Sequence, residues 1–167
     1  MKIAVLSDSH DNISAMKEAI RAIKDENIDT IIHLGDVVSP FTLKLLANFK
    51  VFGVFGNNDG EKQLLSKVAY QNGMQIEEQP YILNIEDKSF LLYHGSGSVE
   101  KTRRIVESFA KSGDYDFVLY GHTHMVDNRR IGNALLLNPG ELCGYLTGKS
   151  SFAIVDLERD YVNIIEL

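Results

Sequence analysis

A single cysteine, Cys143, stands in 167 residues, so no internal disulfide framework staples this chain. Proline is scarce, with three residues, and no stretch is repeated, low in complexity or linker-like. Positive charge is in deficit: 17 Lys and Arg against 23 Asp and Glu leave a net charge of −6. That balance argues against a broad electrostatic grip on nucleic acid or anionic lipid. No run approaches the ~20 apolar residues that span a bilayer. The apolar stretch Ile3 to Leu6 is stopped by Ser7 and Asp8, far too early for a signal h-region. The expectation is a soluble cytoplasmic protein with no membrane partner. At this length, residues 1–167 form one domain with one substantial core.

What is present is an alternation of short apolar runs and amphipathic stretches. Lys2 to Leu6 reads as a strand buried on both faces. Ile13, Met16, Ile20 and Ile23 then mark one helix face, with Asp11 or Asn12 placed to cap it. Thr30 to Leu34 is a second strand. Ser39-Pro40 supplies an N-cap and a first-turn proline for a helix burying Leu45, Leu46 and Phe49. Val51 to Phe55 is a third strand, so the first half is βαβαβ, which implies parallel strands under helices. Further on, Tyr81 to Ile85 and Ser89 to His94 flank a Glu86-Asp87-Lys88 turn, and Ser98 to Lys111 is a helix burying Val99, Ile105, Val106 and Phe109. Phe117 to Tyr120, Val126 to Ile131, Ala134 to Asn138, Phe152 to Leu157 and Val162 to Leu167 are short strands. The architecture expected is α/β: a four-layer αββα sandwich of two mixed β-sheets packed face to face, with helices outside.

Chemistry-bearing residues follow these strands in order: Asp8-Ser9-His10, Gly35-Asp36, Gly56-Asn57-Asn58-Asp59, Tyr93-His94-Gly95 and Gly121-His122-Thr123-His124. Asp8 and His10 are two apart, and on an extended segment such a pair points to one side. His122 and His124 repeat the spacing. A carboxylate such as Asp36 has two oxygens, enough to bridge two metals, and Asn57 offers a neutral amide oxygen. A nitrogen and oxygen donor set without thiolate suits Mn, Fe, Zn, Ni or Co rather than Ca or Mg alone. Two divalent cations bring four positive charges, of which Asp8 and Asp36 cancel two. The centre would thus attract an anion within an acidic protein. Two metals ~3.5–4 Å apart generate a hydroxide and stabilise in-line displacement at phosphorus, so the site reads as phosphate-ester hydrolysis.

The order Asp-x-His, Gly-Asp, Gly-Asn-x-Asp, His, Gly-His-x-His resembles the calcineurin-like metallophosphoesterase superfamily. Chain length and the form Gly-Asn-Asn-Asp are similar to its small, single-domain phosphodiesterase branch, and the match runs from Met1 to about Gly140. The resemblance implies that Asp8, His10, Asp36 and His124 hold a first metal. Asp36 then bridges to a second held by Asn57, His94 and His122. It implies two divalent ions, Mn first among them, with Ni, Fe, Co or Zn as alternatives. A hydroxide between them attacks phosphorus without a covalent enzyme intermediate. Many relatives carry His immediately after Gly-Asn, as leaving-group acid or phosphate ligand. Here Asn58 stands instead, and an amide donates a hydrogen bond but no proton near neutral pH. Asn58 and Asp59 are therefore assigned to phosphate binding or orientation, and the missing His goes with a lean towards diesters. A second departure is Asn138-Pro139-Gly140-Glu141, where the family often ends in Ser.

The function expected is a metal-dependent phosphodiesterase acting on a small or exposed substrate. Its alternatives are a phosphomonoesterase or nucleotide phosphatase on the same metals, and a non-catalytic scaffold like the retromer subunit of this fold, whose motif histidines are lost. All seven ligand positions are filled here, which favours the enzyme. No accessory domain or basic surface is evident to grip a long nucleic acid. His33, inside Ile31-Ile32-His33-Leu34, reads as a hydrogen-bonded core histidine, and Cys143 as a buried or loop thiol. Lys101, Arg103 and Arg104 read as a solvated helix face. Gly60 to Gln79 and Gly95 to Thr102 read as substrate-choosing loops, and a C-terminal edge strand could pair with a second copy.

Overall fold

Strand β1 (Lys2–Leu6) is buried from Ile3 onward, as a run packed on both faces should be. It leads to α1 (Ile13–Asp25), where Asn12 is the N-cap and accepts from the Ala15 amide at 3.1 Å. β2 (Thr30–His33), α2 (Pro40–Lys44) and β3 (Lys50–Val54) complete the βαβαβ unit. Next come α3 (Lys62–Gln71), β4 (Gln75–Glu77), the hairpin of β5 (Tyr81–Ile85) and β6 (Lys88–Tyr93), and α4 (Val99–Ser112). β7 (Phe117–Tyr120), β8 (Val126–Ile131), β9 (Ala134–Pro139), β10 (Ser151–Asp156) and β11 (Tyr161–Glu166) end the chain. The structure, a computed structural model, describes residues 1–167.

One sheet has the order β11-β10-β1-β2-β3-β4 and the other β5-β6-β7-β9-β8. Both are mixed. β1 to β4 are parallel, β10 pairs antiparallel with β1, and β11 pairs antiparallel with β10. In the second sheet β6, β7 and β9 are parallel, with antiparallel edges β5 and β8. Between the sheets Val5, Ile32, Phe52 and Val54 meet Phe90, Leu92, Phe117 and Leu137. Met16, Ile23, Leu43 and Leu65 seal the first sheet's outer face, and Val106 and Ala110 of α4 seal the second's. These are the four layers, αββα. No helix is long and apolar enough to cross a membrane.

Local departures from the sequence reading have physical causes. The helix after Pro40 ends at Lys44. Leu45, Leu46 and Ala47 donate to carbonyls three residues back, so the chain tightens into turns while still burying Leu46 and Phe49. Ser39 does not cap it, because its hydroxyl donates to Asp11 Oδ1 at 2.6 Å. The segment Gly60 to Gln79 is not simply a loop: it contains α3 and β4. That helix buries only Leu65, Val68 and Ala69 beneath a polar surface, too thin a stripe to stand out as amphipathic. On α4 the buried set is Thr102, Val106 and Ala110, and Val99 lies at the rim.

Phe90 and Phe117 stack between the sheets with centroids 4.5 Å apart, both fully buried. Phe117→Ala is expected to cost about 3–5 kcal/mol of unfolding free energy, read as a lowered urea midpoint at an unchanged slope.

Candidate metal centre

The carboxyl ends of five parallel strands, three in one sheet and two in the other, open on one edge of the sandwich. Asp8 and His10 follow β1, Asp36 follows β2, Asn57 follows β3, His94 follows β6, and His122 and His124 follow β7. Parallel sheets commonly bind ligands at this edge, where loops leave the strands on the same side. The loops are not extended. Asp8, His10, Asp36, His122 and His124 have φ of 52°, 40°, 57°, 65° and 59°. The i, i+2 pairs therefore do not share a face through strand alternation. Tight left-handed turns aim them, a strained backbone that persists only where surrounding bonds over-determine it.

Those bonds are visible. The Asp8 and His10 amides donate to the carbonyls of Gly35 and Asp36 at 3.1 and 3.0 Å. The His122 amide donates to Asp8 Oδ2 at 3.0 Å, and the Cys143 amide to the Asp8 carbonyl at 3.0 Å. Gly56 is required by close approach, since a Cβ there would collide with the Asp36 carboxylate. At Gly121 a Cβ would strike the Ser7 hydroxyl, which donates to Asp8 Oδ2 at 2.5 Å.

The donor atoms gather around Asp36. Its Oδ2 lies 3.4 Å from His10 Nε2 and 3.4 Å from His94 Nε2. Asp8 Oδ1 lies 3.3 Å from His124 Nε2 and 3.8 Å from His10 Nε2. Asp8 Oδ1 and His10 Nε2 are buried without a hydrogen-bond partner. His94 Nδ1 meets the Leu34 carbonyl at 2.7 Å, so it carries the proton of a neutral ring. Its Nε2 then presents a lone pair to Asn57 Oδ1, 3.0 Å away. Buried lone pairs facing one another are costly unless a cation lies between them. The residues fit divalent metal ions. Asp8, His10, Asp36 and His124 can share one ion, and Asp36, His94 and Asn57 another. His122 packs edge-on to His94 at 5.2 Å, and its Nε2 meets the Gly97 carbonyl at 2.7 Å, so only Nδ1 is left to take a metal.

Electrostatics agree with cation binding. Burial opposes ionisation of Asp8, but His10, His94, His124 and the Ser7 hydroxyl outweigh it and hold its carboxyl below the usual range. Burial likewise opposes Asp36, and His94 with Asn58 holds it well below. His10 is raised, chiefly by Asp8 and then Asp36. His94 is raised as well, because Asp36 and Asp8 overcome its burial. Both carboxylates are thus charged at neutral pH, crowded by imidazoles that a metal would hold neutral.

Asn58 and Asp59 have different environments. Asn58 is exposed and reaches into the site, its side-chain amide donating to Asp36 Oδ2 at 2.8 Å and its backbone amide to Oδ1 at 2.7 Å. Asp59 is buried beneath, and its carboxylate accepts from the amides of Asp36, Val38 and Gly56 at 3.0, 2.7 and 2.7 Å. It orients the two ligand-bearing loops rather than the side chain of Asn58. His33 is a buried core histidine, Nε2 3.0 Å from Ser9 Oγ and Nδ1 accepting from the Gly35 amide at 3.2 Å. Lys101 and Arg104 are exposed on α4, as expected of a solvated face, but Arg103 is half-buried, with its Nε shielded from solvent and without a hydrogen-bond partner.

Gln79 escaped the sequence reading, and Cys143 and Glu141 were read without a tie to the site. Gln79 Oε1 accepts from the amides of His94 and Gly95 at 2.7 and 3.0 Å, which pins the His94 turn. Cys143 is buried, with its sulfur among the His10 and His124 ring nitrogens, one ligand atom of each within 4.8 Å of the others. Burial, and after it the Glu141 carboxylate, pushes its thiol up to about 12. Glu141 itself is fully buried and meets His124 Nδ1 at 2.6 Å. It adds a third carboxylate to the site, so the charge tally from Asp8 and Asp36 alone was too positive. The sole sequence signal was its place in Asn138-Pro139-Gly140-Glu141.

Residues 1–160 match the model of the calcineurin-like phosphoesterase superfamily domain. A phosphodiesterase of Methanocaldococcus jannaschii is 38% identical, over 99% of each chain. The solved structure of a novel archaeal phosphodiesterase superposes with a TM-score of 0.91 at 37% identity, covering 100% of both chains. A zinc complex of Vps29 from Entamoeba histolytica shares the fold, with a TM-score of 0.73 at 19% identity over 100% of this chain and 98% of that one.

Two outcomes follow from the supporting residues. Asp59→Ala strips an acceptor from three backbone amides and is expected to destabilise the metal-free protein by about 3 kcal/mol, measured by urea unfolding. Burial lowers the His33 imidazole to about 4, against the opposing pull of Asp59, Asp8 and Asp36. A folded value below the unfolded one means stability present above pH ~6.5 and lost as pH falls towards 4. His33→Gln is therefore expected to lose less stability than wild type between those pH values, provided that NMR confirms a neutral His33 ring at pH 5.

Proposed function

The chain belongs to the calcineurin-like phosphoesterase superfamily, and on that premise we propose that it is a metal-dependent phosphodiesterase acting on small or exposed phosphodiesters. The observation that carries the reading is the convergence of the His10 and His94 ring nitrogens on the Asp36 carboxylate, with His10 Nε2 and the neighbouring Asp8 Oδ1 buried and without a hydrogen-bond partner. In this reading Asp8, His10, Asp36 and His124 hold one divalent cation, and Asp36, Asn57, His94 and His122 hold a second. When bound, the pair supplies a water of lowered pKa as nucleophile and positive charge against the charge developing on phosphoryl oxygens.

The protein's own groups then have defined tasks. Asp8 and Asp36 stay ionised and keep their oxygens turned inward. The Leu34 carbonyl fixes the proton of His94 on Nδ1, so Nε2 faces the site with its lone pair. Asn58 is an exposed amide beside Asp36 Oδ2, placed to donate a hydrogen bond to a phosphoryl oxygen. It has no proton to give a leaving alkoxide, which favours esters whose leaving group departs as a stable anion.

Charge supports the diester over the monoester. Two divalent cations bring four positive charges, and Asp8, Asp36 and Glu141 cancel three before any nucleophile is present. A diester carries one negative charge, a monoester up to two, so the diester matches this centre better.

Turnover of bis(p-nitrophenyl) phosphate by chelator-stripped protein should be negligible and should return on adding Mn²⁺. Silence with Mn²⁺, Ni²⁺, Co²⁺ and Zn²⁺ alike would sink the reading. His124→Ala should lose a metal and nearly all turnover. Asn58→His should raise the monoester-to-diester ratio of kcat/KM, by about 10-fold or more if the imidazole acts as acid; an unchanged ratio removes Asn58 from specificity.

A further inference from the structure

Glu141 is the most heavily bonded side chain near the candidate centre, yet it has no place in the ligand set. Its residue is fully buried. Oε2 meets His124 Nδ1 at 2.6 Å and accepts from Cys143 Sγ at 3.1 Å. Oε1 accepts from the Thr147 amide at 2.5 Å, the Thr147 hydroxyl at 2.7 Å and the Leu146 amide at 3.0 Å. Burial alone would raise its carboxyl, but His124 first, and then Thr147 and Cys143, bring it down to about 2.

We propose that Glu141 is a positioning residue for the metal centre: it fixes the proton of His124 on Nδ1 and aims the Nε2 lone pair at the ion shared with Asp8. This rests on the metal-site reading above and deepens it. The geometry leaves His124 little choice. One ring nitrogen faces Glu141 Oε2, the other lies 3.3 Å from Asp8 Oδ1, and the ring stacks on His10 with centroids 5.3 Å apart. A proton on Nδ1 satisfies the carboxylate and frees Nε2. A proton on Nε2 would leave Nδ1 confronting Oε2 with two lone pairs and would block the donor atom. Carboxylate partners of this kind orient metal-ligating imidazoles and raise their basicity.

Only a carboxylate serves here. Donors press on both oxygens: His124 and Cys143 on Oε2, Leu146 and Thr147 on Oε1. An amide has one acceptor and one donor end. Turned with its oxygen to His124, it would set its NH2 against the Thr147 and Leu146 amides. Turned the other way, it would donate to Nδ1 and drive the ring proton to Nε2. The buried charge also anchors the segment from Glu141 to Thr147, so a purely structural role needs to be told apart.

The experiment is a titration of metal-free wild type, Glu141→Gln and Thr147→Val with Mn²⁺, following free Mn²⁺ by EPR alongside the thermal midpoint of each metal-free protein. Glu141→Gln is expected to weaken one of two Mn²⁺ sites by about 10–100-fold and leave the other close to wild type. Thr147→Val removes a bond to Oε1 but none to Oε2, and should stay within about twofold at both sites. Equal Mn²⁺ affinity in wild type and Glu141→Gln overturns the proposal, as does an equal loss in both variants. Wild type that binds no Mn²⁺ refutes the metal-site reading itself, and the proposal with it. Should Glu141→Gln not fold, NMR of Zn²⁺-loaded wild type decides: a downfield, slowly exchanging Nδ1 proton on His124 is expected, and its absence refutes the assignment.

Discussion

Acceptors held against acceptors are the constraint on which this molecule is arranged. Asp8, Asp36 and Glu141 are buried with histidine nitrogens and the Asn57 oxygen around them, and Asp8 Oδ1 has no proton donor. Left alone, such a cluster should spread into solvent, because each uncompensated buried acceptor costs about 1–3 kcal/mol. It stays together because the surrounding backbone is bonded more tightly than the cluster repels. Asp59 gathers three amides from the two loops that carry Asp36 and Asn57. Asn138 Nδ2 grips the Gly121 carbonyl and Thr123 Oγ1 in the loop that carries His122 and His124.

Backbone strain belongs to the same economy. Five candidate ligands sit in the left-handed region, where a non-glycine residue is uncommon. A flexible loop would relax such angles. These loops cannot, since each is short, begins at the end of a strand locked in a sheet, and donates or accepts across to its neighbour. The parallel pairing of β1 with β2 ends at His33, and the Asp8 amide extends it to the Gly35 carbonyl. Sheet geometry thus passes directly into ligand geometry, with few degrees of freedom between.

How much of this was legible follows from where the information resides. Buried parallel strands announce themselves as apolar runs, and motif residues directly after them place a site at one sheet edge without coordinates. The helix from Lys62 to Gln71 was hidden, because three small or medium apolar residues against a polar surface make no strong period. The direction of Asp8 and His10 was inferred from strand alternation, whereas tight left-handed turns aim them. Left-handed turns are not encoded by residue type when the residues are Asp and His rather than Gly. Glu141 was seen as a departure and not as a partner of His124, since their meeting depends on β9 pairing alongside β7. Asp59 shows the reverse: its motif position suggested side-chain chemistry, and its bonds go to backbone.

These supporting carboxylates bear on which phosphate ester the centre can accept. Replacing a histidine by Asn58 removes a group that could be cationic, and Glu141 adds a buried anion beside His124. Both changes lower the positive charge at the place where phosphate would lie. A dianionic monoester needs that charge in its ground state, whereas a diester enters with one negative charge and acquires the second only as the nucleophile attacks. Attack by an anionic nucleophile adds one negative charge in either case, so the monoester transition state carries one more than the diester's and loses more from a centre of reduced charge. Since catalysis depends on binding the transition state better than the substrate, subtracting charge from the site tilts it towards diesters even with every candidate ligand in place.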